Sequence, residues 1–62
     1  MLIVDQIIYD VTLLDNEDLG KELLDILSEE KKQHKKQHII VHQVVKLDRY
    51  NYTVILNLCE MN

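Results

Sequence analysis

Residues 37–60, QHIIVHQVVKLDRYNYTVILNLCE, constrain the fold more than any other stretch. They read as two β-strands joined by a tight polar turn. Ile39, Val41, Val45 and Leu47 share one parity, broken only at Gln43, and Tyr52, Val54, Leu56 and Leu58 share the parity of the next run. Side chains alternate between faces along a strand. A loop of Asp48, Arg49, Tyr50 and Asn51 sets Leu47 opposite Tyr52, Val45 opposite Val54 and Val41 opposite Leu58. All the apolar positions then share one face, and a slip of one residue would set Val45 against Thr53. A buried face penalises that slip. A two-residue loop would require positive φ at Arg49 and Tyr50, which neither favours. The four-residue loop lets Asp48 begin a type I turn and Asn51 take the left-handed conformation.

The other face of this hairpin carries His38, Ile40, His42, Val44 and Lys46 on one strand and Thr53, Ile55, Asn57, Cys59 and Met61 on the other. Ile40, Val44, Ile55 and Cys59 form an apolar strip with polar interruptions. A sheet face bathed in water alternates more cleanly, so something is expected to cover this strip.

With 62 residues, the chain is one small domain, residues 1–62. A chain of this size buries at most roughly 60% of its unfolded surface, so its stability is marginal. Disulfides, metals or association make up such a deficit. Cys59 is the single cysteine, which excludes an internal disulfide. Association is the remaining route, and the half-apolar second face suits it. No apolar run approaches the roughly 18–20 residues that span a bilayer. The start, MLIVDQIIYD, lacks the basic segment and cleavage site of a signal peptide. A cytoplasmic, reduced setting is expected, with Met1 retained because Leu2 is bulky.

Residues 2–14 read as a first strand, rich in Ile, Val, Tyr and Thr. Its first half is apolar on both faces. It is long for a strand, so fraying or a bulge is expected near Asp5 and Gln6. Asp15 or Asn16 then caps a helix. Leu19, Leu23, Ile26 and Leu27 lie on one stripe, with Leu24 at its edge. Gly20 marks either close packing or a helix that starts one turn later. Residues 28–38, SEEKKQHKKQH, contain no apolar residue, so the helix is expected to leave the core after Leu27 and end near Lys36.

The order is therefore β-α-β-β, an α+β fold with one helix packed on a three-stranded sheet. Two strand orders are open. Pairing of strand one with strand three gives a wholly antiparallel sheet with the most apolar strand in the centre, and is preferred. Pairing with strand two gives a parallel pair through a right-handed crossover. Either way the single helix covers one sheet face and leaves the second to water or another copy.

Net charge is −4, unevenly spread. Residues 1–30 hold nine acids against Lys21, whereas residues 31–62 hold six bases against Asp48 and Glu60. Acids near the helix start and Lys31, Lys32, Lys35 and Lys36 near its end suit the helix macrodipole, which explains the asymmetry without a partner. The same four lysines could grip phosphates, although no aromatic residue accompanies them. His34, His38 and His42 recur every fourth residue. On a strand, however, His38 and His42 stand roughly 13 Å apart, too far to share a metal ion. No metal or cofactor is expected.

No phosphate-binding glycine loop exists, because Gly20 is alone, and no evident base accompanies Ser28 or Thr53. The size and element order are similar to those of the small tautomerases that use an N-terminal proline as base. Residue 1 is Met and the chain has no proline, so that activity is not carried over. The chain is not expected to be an enzyme. It is expected to be a homodimeric protein-binding module, an inhibitor or adaptor of the kind phages and mobile elements encode. Arg49 and Tyr50 at the hairpin tip are the candidate partner-binding pair, because Arg and Tyr dominate binding hot spots. Ile40, His42, Val44, Ile55, Asn57 and Cys59 are the candidate dimer interface. The alternative is a nucleic-acid-binding regulator that uses Lys31, Lys32, Lys35 and Lys36. A membrane partner is not expected.

Overall fold

A computed structural model describes residues 2–60; the readings on Met1 and Met61 lie outside them. The elements are β1 (Ile3–Thr12), α1 (Leu19–Gln33), β2 (Gln37–Lys46) and β3 (Asn51–Glu60). The sheet order is β1-β3-β2, and both pairings are antiparallel. The preferred strand order holds, with the most apolar strand in the centre.

The helix-facing side of the sheet is built from Ile7, Tyr9 and Val11 of β1, which stand opposite Leu56, Val54 and Tyr52 of β3. From β2, Ile39, Val41 and Val44 stand opposite Leu58, Leu56 and Val54. Val54 and Leu56 are completely buried at the centre, and Leu58 and Leu13 are nearly so. Leu19, Leu23, Ile26 and Leu27 of α1 are half-buried, consistent with the stripe, while Leu24 is 68% exposed. The helix lies nearest β2.

Three details depart from the sequence reading. The first is the hairpin register. Lys46 faces Tyr52 and Val45 faces Thr53, the slip that a uniform ladder would penalise. A bulge at His42, between Val41 and Gln43, restores the parity further along. One extra residue in β2 thus brings Ile39 and Val41 on one side of the bulge, and Val44 on the other, onto the same buried face. Turn chemistry fixes the slip. Asp48 Oδ1 accepts from the backbone N–H groups of Tyr50 and Asn51, both at 2.9 Å, and its carboxylate also holds the Asn51 amide. Such an Asx turn needs no left-handed residue, and no described residue has positive φ, so Asn51 enters β3 in ordinary extended geometry. The cost falls on Leu47, left 61% exposed.

The second detail is the helix start. Asp18, not Asp15 or Asn16, is the N-cap, and its side chain accepts from Gly20 N at 2.9 Å. The helix therefore begins one turn later, the second of the two readings of Gly20. Upstream, Glu17 closes its own turn on Leu14 by two bonds of 3.0 Å. The third is the helix end. The helix stops at Gln33, with His34 as C-cap, and does not leave the core after Leu27, because Glu30 is buried. The bulge in strand one lies between Ile3 and Asp5, slightly before its expected place.

Candidate functional site

Three surfaces carry chemistry: the uncovered sheet face, the hairpin tip and the corner where α1 meets β2. On the uncovered face the rows read Ile8–Ile55–Gln43, Gln6–Asn57–Ile40 and Asp10–Thr53–Val45 across the three strands. Ile8 is 64% exposed and Ile40 is 44% exposed; Val45 and Ile55 are half-buried. Gln6 Nε2 donates to Asn57 Oδ1 at 2.9 Å, and Thr53 Oγ1 donates to Asp10 Oδ1 at 3.0 Å. Two polar pairs of this face are therefore satisfied between themselves, and among the described residues Ile8 and Ile40 are left uncovered.

The expected interface set is only partly brought together. Ile40, Ile55, Asn57 and Cys59 share the uncovered face. Val44 does not; the bulge turns it to the helix side opposite Val54, and Val45 takes its place. His42 is the exposed extra residue of the bulge. Asn57 and Cys59 are already buried by their own strand neighbours, so they offer a partner little area. Ile8, more exposed than Ile40, Val45 or Ile55, comes from β1, which the sequence places on this face if strand one joins the same sheet, as it does.

At the hairpin tip, the Arg49 guanidinium sits 5.3 Å from the Tyr50 ring centroid, within cation–π range. It also reaches Asp15 at 3.8 Å, with both side chains about three-quarters exposed. An exposed pair of this kind contributes little to stability. Tyr50 is half-buried, and its carbonyl accepts from Leu13 N at 2.7 Å. The tip is thereby tied to the end of β1 and presents Arg49 on a firm base. Its Asp48 carboxyl is held below the ordinary carboxylate value, first by the Asn51 amide and then by the Tyr50 and Asn51 backbone donors.

Between β1 and α1, Tyr9 donates its hydroxyl to Glu30 Oε1. Glu30 Oε2 is buried without an aligned hydrogen-bond donor, and His34 Nε2 lies 3.2 Å from it. The Glu30 bond, followed by burial and the charges of Glu30 and Glu29, pushes the Tyr9 phenol up from 10.0 to about 12. Spacing could have revealed this cluster. Glu30 follows Leu23, Ile26 and Leu27 on the same helical stripe, and Tyr9 has the helix-facing parity of β1. Two surface depressions lie where α1 meets β2, one lined by Lys31, His34, Lys35, Gln37, His38 and Ile39 and the other by Gln33, His34, Lys35, Lys36, Gln37 and Glu60. Lys32 points elsewhere, toward Glu29 at 3.6 Å.

Among the described residues, no group of three or more His, Cys, Asp or Glu is placed to hold a metal ion. No helix among them is long and apolar enough to cross a membrane. No protein-family model, curated protein or solved structure matches this chain.

Proposed function

We propose that this chain is a protein-binding module, an inhibitor or adaptor rather than an enzyme, and that it works as a homodimer. One observation carries the reading: Ile8 and Ile40 stand exposed on the same sheet face as Val45 and Ile55, opposite α1. An exposed apolar strip, even with polar interruptions, suits a contact surface on a small chain, and a two-fold axis is the commonest way to cover such a strip with a second copy. Ten-residue strands at about 3.3 Å per residue, three abreast at about 4.8 Å, give a face of roughly 450 Å². Two such faces total about 900 Å², short of the range of stable interfaces, so the dimer is a weak one that dissociates on dilution. The hairpin tip, with Arg49 over Tyr50, is left free for the protein partner.

Sedimentation velocity across a concentration series tests this reading. The expected result is a shift from the 7.4 kDa monomer toward twice that mass as concentration rises. A monomer at every concentration, unaffected by Val45→Asp, rejects it.

A second reading has its own support. Both depressions at the α1–β2 corner carry lysines and histidines, with Glu60 also lining the second, and the bases suit phosphate contacts and hence a nucleic-acid-binding regulator. Lys32 points away from them, and the buried Glu30 carboxylate stands behind them, so this reading ranks second. Steeply salt-dependent binding to mixed DNA or RNA, lost in Lys35→Glu with Lys36→Glu, would put it first.

A further inference from the structure

The uncovered face repeats itself under one rotation and not under another. Its three central rows, read from β1 through β3 to β2, are Gln6–Asn57–Ile40, Ile8–Ile55–Gln43 and Asp10–Thr53–Val45. Two sheets packed face to face with their strands aligned can be related by a two-fold axis in either of two directions. An axis along the strands lays β1 of one copy over β2 of the other. Ile8 then meets Gln43 of the second copy, Gln6 meets Ile40 and Asp10 meets Val45, so each of these contacts sets an apolar side chain against a polar one. An axis across the strands, along the middle row, lays each strand over its own copy in the reverse direction. Ile8 then meets Ile8 of the second copy, Ile55 meets Ile55 and Ile40 meets Val45. Polar residues also meet polar ones: Gln6 faces Asp10, Asn57 faces Thr53 and Gln43 faces Gln43. Moving this axis by half a row sets Gln6 against Ile8 and Ile40 against Gln43, and the match is lost.

We propose that two copies pack through this face about a two-fold axis that runs across the strands through the row of Ile8, Ile55 and Gln43. The inference rests on the homodimer reading and names its symmetry. Two faces of about 900 Å² in total lie below the range of stable interfaces. Such an interface has no reserve for mismatched rows, because each mismatch strips water from a polar group without giving it a partner. A second copy is the occupant that the pattern fits, because the face is its own complement. Asp10, the acid of the central rows, falls opposite the Gln6 amide and not opposite another acid. The symmetry also places the tips. Each copy is 40 Å long, and the hairpin tip lies at one end, where β2 stops and β3 begins. Reversal of the strands across the interface puts the two Arg49–Tyr50 tips at opposite ends of the dimer, so that it bridges two partner molecules as an adaptor does. An axis along the strands would put both tips at the same end.

The test is isotope-filtered NMR on a mixture of labelled and unlabelled parent chain at millimolar concentration, which detects contacts between copies alone. Contact between the methyl groups of Ile40 and Val45 is expected. Within one chain these residues stand roughly 16 Å apart along β2, too far for such a signal. Contacts of Ile40 with Gln6 and of Val45 with Asp10 overturn the axis. Two lysine variants give the same answer by sign, in sedimentation at low salt. Gln6→Lys sets a cation against Asp10 of the second copy, twice over by symmetry, and is expected to tighten the dimer about threefold to tenfold. Val45→Lys sets a cation against Ile40 and is expected to weaken it about tenfold. Under the other axis the signs exchange, because the first lysine would meet Ile40 and the second Asp10. Gln6→Lys gives up the bond to Asn57; should that variant misfold, the parent-chain contacts and the sign of Val45→Lys decide. A dimer with exchanged signs overturns the axis alone, whereas a parent chain that stays monomeric overturns the homodimer reading and the axis together.

Discussion

Tyr9 on β1 and Glu30 on α1 join sheet to helix through one hydrogen bond between a phenol and a buried carboxylate. Removing the donor leaves the carboxylate with His34 as its remaining polar neighbour. Tyr9→Phe is therefore expected to cost about 1–3 kcal/mol in urea unfolding. A chain of this length has only roughly 3–9 kcal/mol in total, so the midpoint shift is large.

The same bond sets a limit at high pH. The folded chain keeps the Tyr9 proton up to about 12, whereas the unfolded chain releases it near 10.0. Between those values the unfolded state binds fewer protons, so stability falls as pH rises through that window and is fully present below it. Absorbance titration of phenolate is expected to show one late-ionising tyrosine, absent in Tyr9→Phe. A titration with no late phase would rule the arrangement out.

The bulge separates the roles of two adjacent valines. Val44 stands on the buried side opposite Val54, whereas Val45 stands on the uncovered side opposite Thr53. Val44→Asp places an unpaired charge against the core and is expected to abolish the folded circular dichroism signal. Val45→Asp is expected to keep that signal and to prevent self-association in sedimentation. Equivalent behaviour of the two variants would mean that the register is different.

Replacing both Arg49 and Tyr50 with Ala is expected to weaken partner binding by about 2 kcal/mol or more, the hot-spot range. The fold is expected to persist, because the tip is held by the Asp48 carboxylate and by the Tyr50 carbonyl, neither of which these changes remove. Calorimetry against a captured partner measures the loss, and an unchanged affinity removes the tip from the site.

At the helix start, Asp18→Ala removes the cap and is expected to cost about 1 kcal/mol. Gly20→Ala acts in the opposite direction. The added Cβ would meet Asp18 Oδ1 at 3.4 Å, ordinary van der Waals contact. Reduced backbone entropy in the unfolded chain then stabilises the variant by up to about 1 kcal/mol. Thermal melts of both variants check the signs.

Element order, strand order and the buried stripe of α1 were legible in the sequence, because each rests on periodicity over many residues. The hairpin register was not. It depends on one extra residue, and nothing such as glycine or proline marks His42. The only trace was Gln43, which broke the parity of Ile39, Val41 and Val45 and was read as an interruption rather than a change of phase. Glu30 was missed for a related reason. A run of charged residues reads as solvated unless a donor such as Tyr9, distant in sequence, is known to lie beneath it. Asp18 lay beside the two expected caps, Asp15 and Asn16, and the outcome turned on the separate turn that Glu17 forms with Leu14.

The bulge at His42 also governs how far assembly can proceed. A sheet with two straight edges can recruit a strand on each side, and each recruit offers a new edge, so growth has no natural end. Here the β1 ladder runs unbroken from Asp5 to Thr12 while the β2 ladder is kinked at His42, so the β2 edge is the poorer template for any added strand. Deleting His42 leaves every β2–β3 pair in place while straightening the second edge. Such a variant is expected to retain its fold and to elongate into fibrils that the parent chain does not form, with thioflavin fluorescence as the readout. One unpaired residue thereby separates a discrete complex from an open-ended polymer.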